Sequence, residues 1–272
     1  MQNELELAAT HLVANAIDTV RERIADEAVI TRLNEAEQQY LTRRDKHPQA
    51  AADELQAQIE LDAALWPLRL YLADAHLQSG ETNGFEHEVH TALGKSRDPF
   101  VVVSIFMYMT RLFVMRSRSA EEAVVYVREA IETNVGIASY IRGIYIQTLL
   151  EVEDFEEAYR QIQISIHENN PMLTIEGLEI WPILMARLGK WQDQDEVIRD
   201  IRMFAAEQLQ EWERNQLVQA LVGDVAEREQ VGDTETARFL LEVARTIDDT
   251  HPAVTGYLSI DVQMPKGWWP VQ

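Results

Sequence analysis

Cysteine is absent from the 272 residues. The chain therefore cannot build a disulfide, a thiolate nucleophile or a Cys-ligated zinc or iron–sulfur centre. Glycine and proline are scarce, with 11 and 8 in the whole sequence, and apolar spacing is helical almost throughout. Basic residues are in deficit: 24 Lys+Arg stand against 46 Asp+Glu, a formal net charge of −22. A surface of that sign repels phosphate backbones and anionic membranes over about a Debye length, so nucleic acid is not an expected partner. No uninterrupted apolar run reaches the roughly 18 residues of a membrane span. The richest stretch, Phe100 to Met115, is broken by Ser104, Thr110 and Arg111, and membrane insertion is not expected. Residues Met1 to Leu7 place no basic region ahead of an apolar run, so no secretory signal is visible and a cytoplasmic location is expected.

Catalytic signatures are missing as well. There is no G-x-S-x-G elbow, and Gly94-Lys95-Ser96 lacks the earlier glycine of a phosphate loop, so it reads as a helix end. His87 and His90 lie three apart on a helix whose apolar face is Phe85, Val89, Ala92 and Leu93, which sends both imidazoles to solvent. Neither a metal site nor a cofactor is expected, and an all-α enzyme ranks last among the functional readings.

What the sequence does contain is a recurring amphipathic stripe. Ala120, Ala123, Val124, Val127, Ala130 and Ile131 fall at three- and four-residue steps, as do Phe155, Ala158, Ile162 and Ile166. The pattern returns in Val197, Ile201, Phe204 and Ala205, then in Ala237, Leu240, Leu241, Ala244 and Ile247, with an earlier copy in Phe85, Val89, Ala92 and Leu93. Ser119 precedes Glu122, Asp154 precedes Glu157 and Asp193 precedes Glu196, the spacing at which a side chain caps the first turn of a helix. Aligned on Phe85, Ala123, Ala158, Val197 and Ala237, the stripes recur every 35 to 40 residues. A second helical segment precedes each one: 66–79, 101–115, 138–152, 173–188 and 216–231. The whole reads as a helical hairpin repeated five times.

The run Asp154-Phe155-Glu156-Glu157-Ala158-Tyr159, closed by Asn169-Asn170-Pro171, resembles the second half of a tetratricopeptide repeat. Ser119 to Ala123 with Ala130-Ile131, and Gly232-Asp233 with Ala237 and Ala244, resemble it too. Phe85 and Val197 depart from the pattern, standing where the family usually has alanine. The resemblance covers residues 65–252 and implies an all-α, right-handed α-solenoid of about five tetratricopeptide-like hairpins. Residues 1–64 are helical outside the repeat and read as an N-terminal cap or as a dimerisation segment through which a homodimer would form. In residues 253–272, Leu258, Ile260, Val262 and Met264 alternate with polar residues, the period of a strand, so an extended tail ending in Trp268 and Trp269 is expected.

In such stacks the first helix of each hairpin lines the concave face. The resemblance therefore implies a partner groove bordered by Tyr108, Arg111, Leu112, Met115, Tyr140, Arg142 and Gln147. The alternation in the tail separately makes Leu258, Ile260 and Val262, with Trp268 and Trp269, a sticky segment that either docks on the protein's own helices or is added as a strand to a partner. Arg111, Arg116, Arg118 and Arg142 stand out against the acidic background; their alternative role is to pair with neighbouring acids. The family's carboxylate clamp for chaperone tails is not matched, because Leu70, Asp74, Tyr108 and Leu112 occupy the comparable positions. The leading functional reading is a non-enzymatic scaffold or adaptor for another, basic protein. A regulator responsive to a peptide or metabolite is the second.

Overall fold

The computed structural model describes the backbone of residues 2–263 apart from Asp45, Arg118, Asn134, Pro171, Met172 and Thr174, and side chains from Glu6 to Tyr257 apart from those and Val135. It is all-α, with fourteen α-helices, three short 3-10 turns and no strand among the described residues. The chain divides into two units, Met1–Ile144 and Tyr145–Gln272.

The first unit holds α1 (Gln2–Arg21), α2 (Glu27–Arg44), α3 (Pro48–Leu61), α4 (Arg69–Ser79), α5 (Thr82–Leu93), α6 (Pro99–Arg116) and α7 (Ala120–Thr133), and ends within α8 (Ala138–Glu151). α4 and α5 pack as a hairpin, and α6 packs against α1, α4, α5 and α7. Ala9, Val13, Ala16, Ile17 and Val20 of α1 are buried with Leu70, Tyr71, Phe85, Ile105, Met109 and Leu112 in one core. The N-terminal segment thus covers its apolar stripe within its own unit. α6 has the length and apolarity of a membrane span, and 44% of it is buried inside the protein; Val101, Ile105, Met109, Leu112 and Phe113 supply this unit's core.

The second unit continues through α9 (Phe155–His167), α10 (Ile175–Arg187), α11 (Gln194–Gln208), α12 (Glu211–Gln230), α13 (Thr234–Ile247) and α14 (Pro252–Gln263). Here α12 and α13 form the most extensive pair, α11 packs on α13, and α10 packs on α9, α11, α12 and α13. The expected stripes are the buried ones: Ala158, Ile162 and Ile166 on α9, Val197, Ile201, Phe204 and Ala205 on α11, and Ala237, Leu240 and Ala244 on α13.

Caps explain where several helices begin. The Asp154 carboxylate accepts from the Glu157 N–H at 3.2 Å, Asp233 accepts from Thr236 N–H at 3.2 Å, and Ser119 Oγ accepts from Glu122 N–H at 3.1 Å. Asp193 does not cap α11, because Tyr159 Oη donates to its carboxylate at 3.0 Å and a 3-10 turn at Trp191–Asp193 leads into the helix. The exits are also alike. Gly80, Glu153, Asn169, Gly189 and Gly232 all have positive φ, and the N–H after each reaches back to a carbonyl five residues earlier. This is a Schellman stop, satisfying carbonyls the helix leaves unpaired.

The tail departs from expectation. Residues 252–263 are helical, not extended. Pro252 suits a first helical turn, and His251 Nδ1 accepts from Ala253 N–H at 3.1 Å. Val254, Leu258 and Val262 are four apart, a spacing that fits a helix as well as the alternation fits a strand. A helix satisfies its own backbone, whereas a lone strand has no ladder. The side chains of Leu258, Ile260 and Val262, and Trp268 and Trp269 altogether, lie outside the described residues.

Candidate functional site

α6 carries the expected groove residues, and its rotation decides which of them a partner can meet. Leu112 has no exposed surface and belongs to the first unit's core, so this expected contact residue is structural. Tyr108 and Met115 are half-buried against the same core. Arg111 is exposed. It lies on a face with Phe100, Val103, Met107 and Val114, which recur at three- and four-residue steps. Phe100 is 57% exposed, and Val103, Met107 and Val114 are partly so. This helix therefore shows an apolar face around one arginine on the side that core packing leaves open. On α8, Tyr140 and Gln147 are exposed, whereas Arg142 is buried, with 7% of its surface exposed. Arg118 lies outside the described residues.

Arg116, grouped by sequence with Arg111, does something different. Its guanidinium holds both oxygens of Glu6 at 2.6 and 2.8 Å and Asp74 Oδ1 at 3.0 Å. The Arg116 side chain is 7% exposed and Asp74 is fully buried. Gln78 donates to the other Asp74 oxygen at 3.0 Å. Burial raises the pKa of Asp74 against the pull of Arg116, while the hydrogen bond from Arg116 lowers that of Glu6. Beside this ion triad, Tyr71 Oη donates to Glu37 at 2.7 Å, and Arg21 pairs with Glu37 and Asp18. The rings of Tyr40 and Tyr71 meet at 5.1 Å. Together these contacts tie α1, α2, α4 and α6 with directional bonds. Arg116 is thus an internal strut, the pairing role that was the alternative to a groove.

The second unit has a contrasting electrostatic feature. The carboxyls of Glu179 on α10 and Asp224 on α12 share a hydrogen bond, and Arg228 draws on Asp224 from the same helix. Burial first, then the charge of Asp224, pushes the pKa of Glu179 up to about 7, with Glu176 and Glu227 adding repulsion. Burial also raises Asp224. Below about pH 7 the pair keeps a proton that two separate carboxyls in water would release. No periodicity marks this pair, since a single carboxylate set among apolar neighbours on each helix gives no repeating signal.

No known family profile and no curated protein matches the chain. Among solved structures it is similar to BtubC (BKLC) from P. vanneervenii, at 15% identity and a TM-score of 0.39, over 91% of this chain and 98% of that one. A likeness at that score assigns neither fold nor activity.

Proposed function

We propose that this chain is a non-enzymatic interaction protein whose residues 65–252 form five successive tetratricopeptide-like hairpins and that α6 holds an apolar segment of a partner protein. The observation that carries the reading is the open face of α6, where Phe100, Val103, Met107 and Val114 surround Arg111. Apolar residues gathered on one helix face, one exposed and the others partly so, mark a binding surface more often than a scatter of single hydrophobes does. Aromatic and arginine side chains supply much of the energy at such surfaces. The left-handed stops after α4, α8, α10 and α12 and the side-chain caps on α7, α9 and α13 support the hairpin succession, because the same local chemistry recurs at the turn between the two helices of several hairpins. With a net charge of −22, the surrounding surface favours a partner with basic residues flanking its apolar segment.

Affinity purification of the full chain followed by mass spectrometry identifies the partner, and the double variant Phe100→Asp/Met107→Asp tests the face. A stoichiometric partner that is lost in the variant, while the melting temperature is kept, is the expected result. Its retention by the folded variant would exclude α6 as the docking surface. Affinity should also fall as salt rises from about 50 to 500 mM, because screening removes the attraction of unlike charges.

A further inference from the structure

On the second unit, His167 at the end of α9 and Glu196 and Asp200 on α11 bring one ligand atom each within 4.8 Å of one another. Glu196 and Asp200 are four apart on α11, so their carboxylates share a helix face, and α9 packs against α11. A second observation concerns the imidazole. His167 Nδ1 lies 2.7 Å from the Gln163 carbonyl oxygen. A carbonyl only accepts, so Nδ1 carries the hydrogen and the neutral ring keeps its lone pair on Nε2. That is the outer contact by which proteins fix the tautomer and ring orientation of a metal-binding histidine. Asp200 is prepared in the same way: Arg199 Nε donates to Oδ1 at 2.8 Å, leaving Oδ2 available. The Asp200 side chain is 11% exposed, whereas Arg199 is 61% exposed and free to adjust.

We infer that His167, Glu196 and Asp200 form a binding site for a divalent transition metal ion of the zinc class. Bonds of about 2.0–2.1 Å in a tetrahedral site place neighbouring ligand atoms roughly 3.3 Å apart. The three groups must therefore draw together by up to about 1.5 Å, a swing open to the exposed imidazole and the half-buried Glu196 carboxylate. One imidazole with two carboxylates suits zinc, cobalt or manganese; magnesium and calcium prefer all-oxygen sets, and soft cuprous ion needs sulfur. Two carboxylates also match the charge of a divalent cation. The site borders a cleft of about 300 Å³ lined by Asn169, Arg199, Met203 and Glu207, which leaves the remaining coordination position to water or to an incoming donor. The metal would clamp the end of α9 to α11, joining second helices of successive hairpins.

The test uses the full chain, freed of metal by chelator dialysis and titrated with zinc chloride by calorimetry. Cobalt is the spectroscopic probe, because a four-coordinate site without an inversion centre gives visible bands far more intense than those of the octahedral aqua ion. One equivalent bound at micromolar or lower concentration is expected, together with a zinc-dependent rise in melting temperature. His167→Gln should weaken zinc binding at least tenfold and bleach the cobalt bands, and Glu196→Gln should weaken it comparably. The double variant His87→Gln/His90→Gln controls for adventitious binding on α5 and should bind zinc as the native chain does. No zinc uptake at micromolar concentration overturns the inference. So does undiminished binding by folded His167→Gln, or loss of binding only in the α5 control.

Discussion

Replacing Glu179 by Gln should stabilise the protein at pH 8 and flatten part of its pH dependence. In the folded chain Glu179 titrates at about 7, against 4.5 for an ordinary glutamate, because it is half-buried and faces Asp224. Between those two values the folded state keeps a proton that the unfolded state has released. Stability therefore falls as pH rises through this window, by up to about 1.4 kcal/mol per pH unit, and the contribution is complete only below about pH 4.5. A shift from 4.5 to about 7 corresponds to roughly 3 kcal/mol if nothing screens it. Glu179 is only half-buried, and screening reduces the expected effect to about 1–2 kcal/mol. Gln keeps the shape and, as an amide N–H donor, still bonds the Asp224 carboxylate without having to hold a proton. Urea unfolding of both proteins at pH 5, 6, 7 and 8 gives the comparison, since titrations elsewhere cancel in the difference. The two curves should converge near pH 5 and separate toward pH 8, with the variant the more stable. Parallel curves, or a variant weaker at pH 8, would show that Glu179 is ionised and favourably placed in the fold, which would refute the argument.

Removing Arg116 by substitution with Ala leaves the fully buried Asp74 without its cation and should cost about 3–5 kcal/mol in urea unfolding. Adding Asp74→Asn should recover much of that loss, and a cost below about 1 kcal/mol would mean that water reaches the carboxylate. Ala158 has no exposed surface on α9, so Ala158→Trp should overpack the neighbouring helices and cost about 1–3 kcal/mol, read as a lowered melting temperature. Glu153 holds the left-handed stop after α8 at a φ of 58°, where a side chain is strained, so Glu153→Gly should stabilise by about 0.5–1 kcal/mol. A destabilised Gly variant would show that the Glu153 side chain makes a contact worth more than the strain.

Local chemistry was legible in the sequence where the partner of a residue lies within one helix turn. Ser119, Asp154 and Asp233 announce their helices because a cap needs only the N–H three residues on. Asp193 shows the boundary of that logic. Its spacing to Glu196 fits a cap, yet Tyr159, 34 residues earlier, takes the carboxylate. The tail shows another boundary, since Val254, Leu258 and Val262 satisfy the helix while Leu258, Ile260 and Val262 satisfy the strand. A short apolar run does not choose between periods; the absence of a strand among the described residues to pair with it does.

The candidate site was half legible for a related reason. Periodicity marks α6 as apolar on nearly every side, so it cannot say which side another helix covers. That is settled by α1, whose Glu6 reaches Arg116 across 110 residues of chain, and by α4, whose Asp74 reaches it across 42. With α1 and α4 packed on α6, Leu112 and Met109 lie in the core, and Phe100, Val103, Met107, Arg111 and Val114 face outward. Arg111 and Arg116, five apart, consequently have opposite fates: one stands at the centre of an open apolar face, and the other spends its charge inside. An ion triad suits that internal place better than a further leucine would. Hydrophobic packing alone would tolerate α6 in several rotations, whereas a guanidinium bonded to two carboxylates on two other helices accepts one. On this argument the strut built by Arg116 fixes which residues of α6 remain available to a partner. An apolar substitution such as Arg116→Met/Asp74→Leu should then keep stability and still blur binding on the Phe100 face.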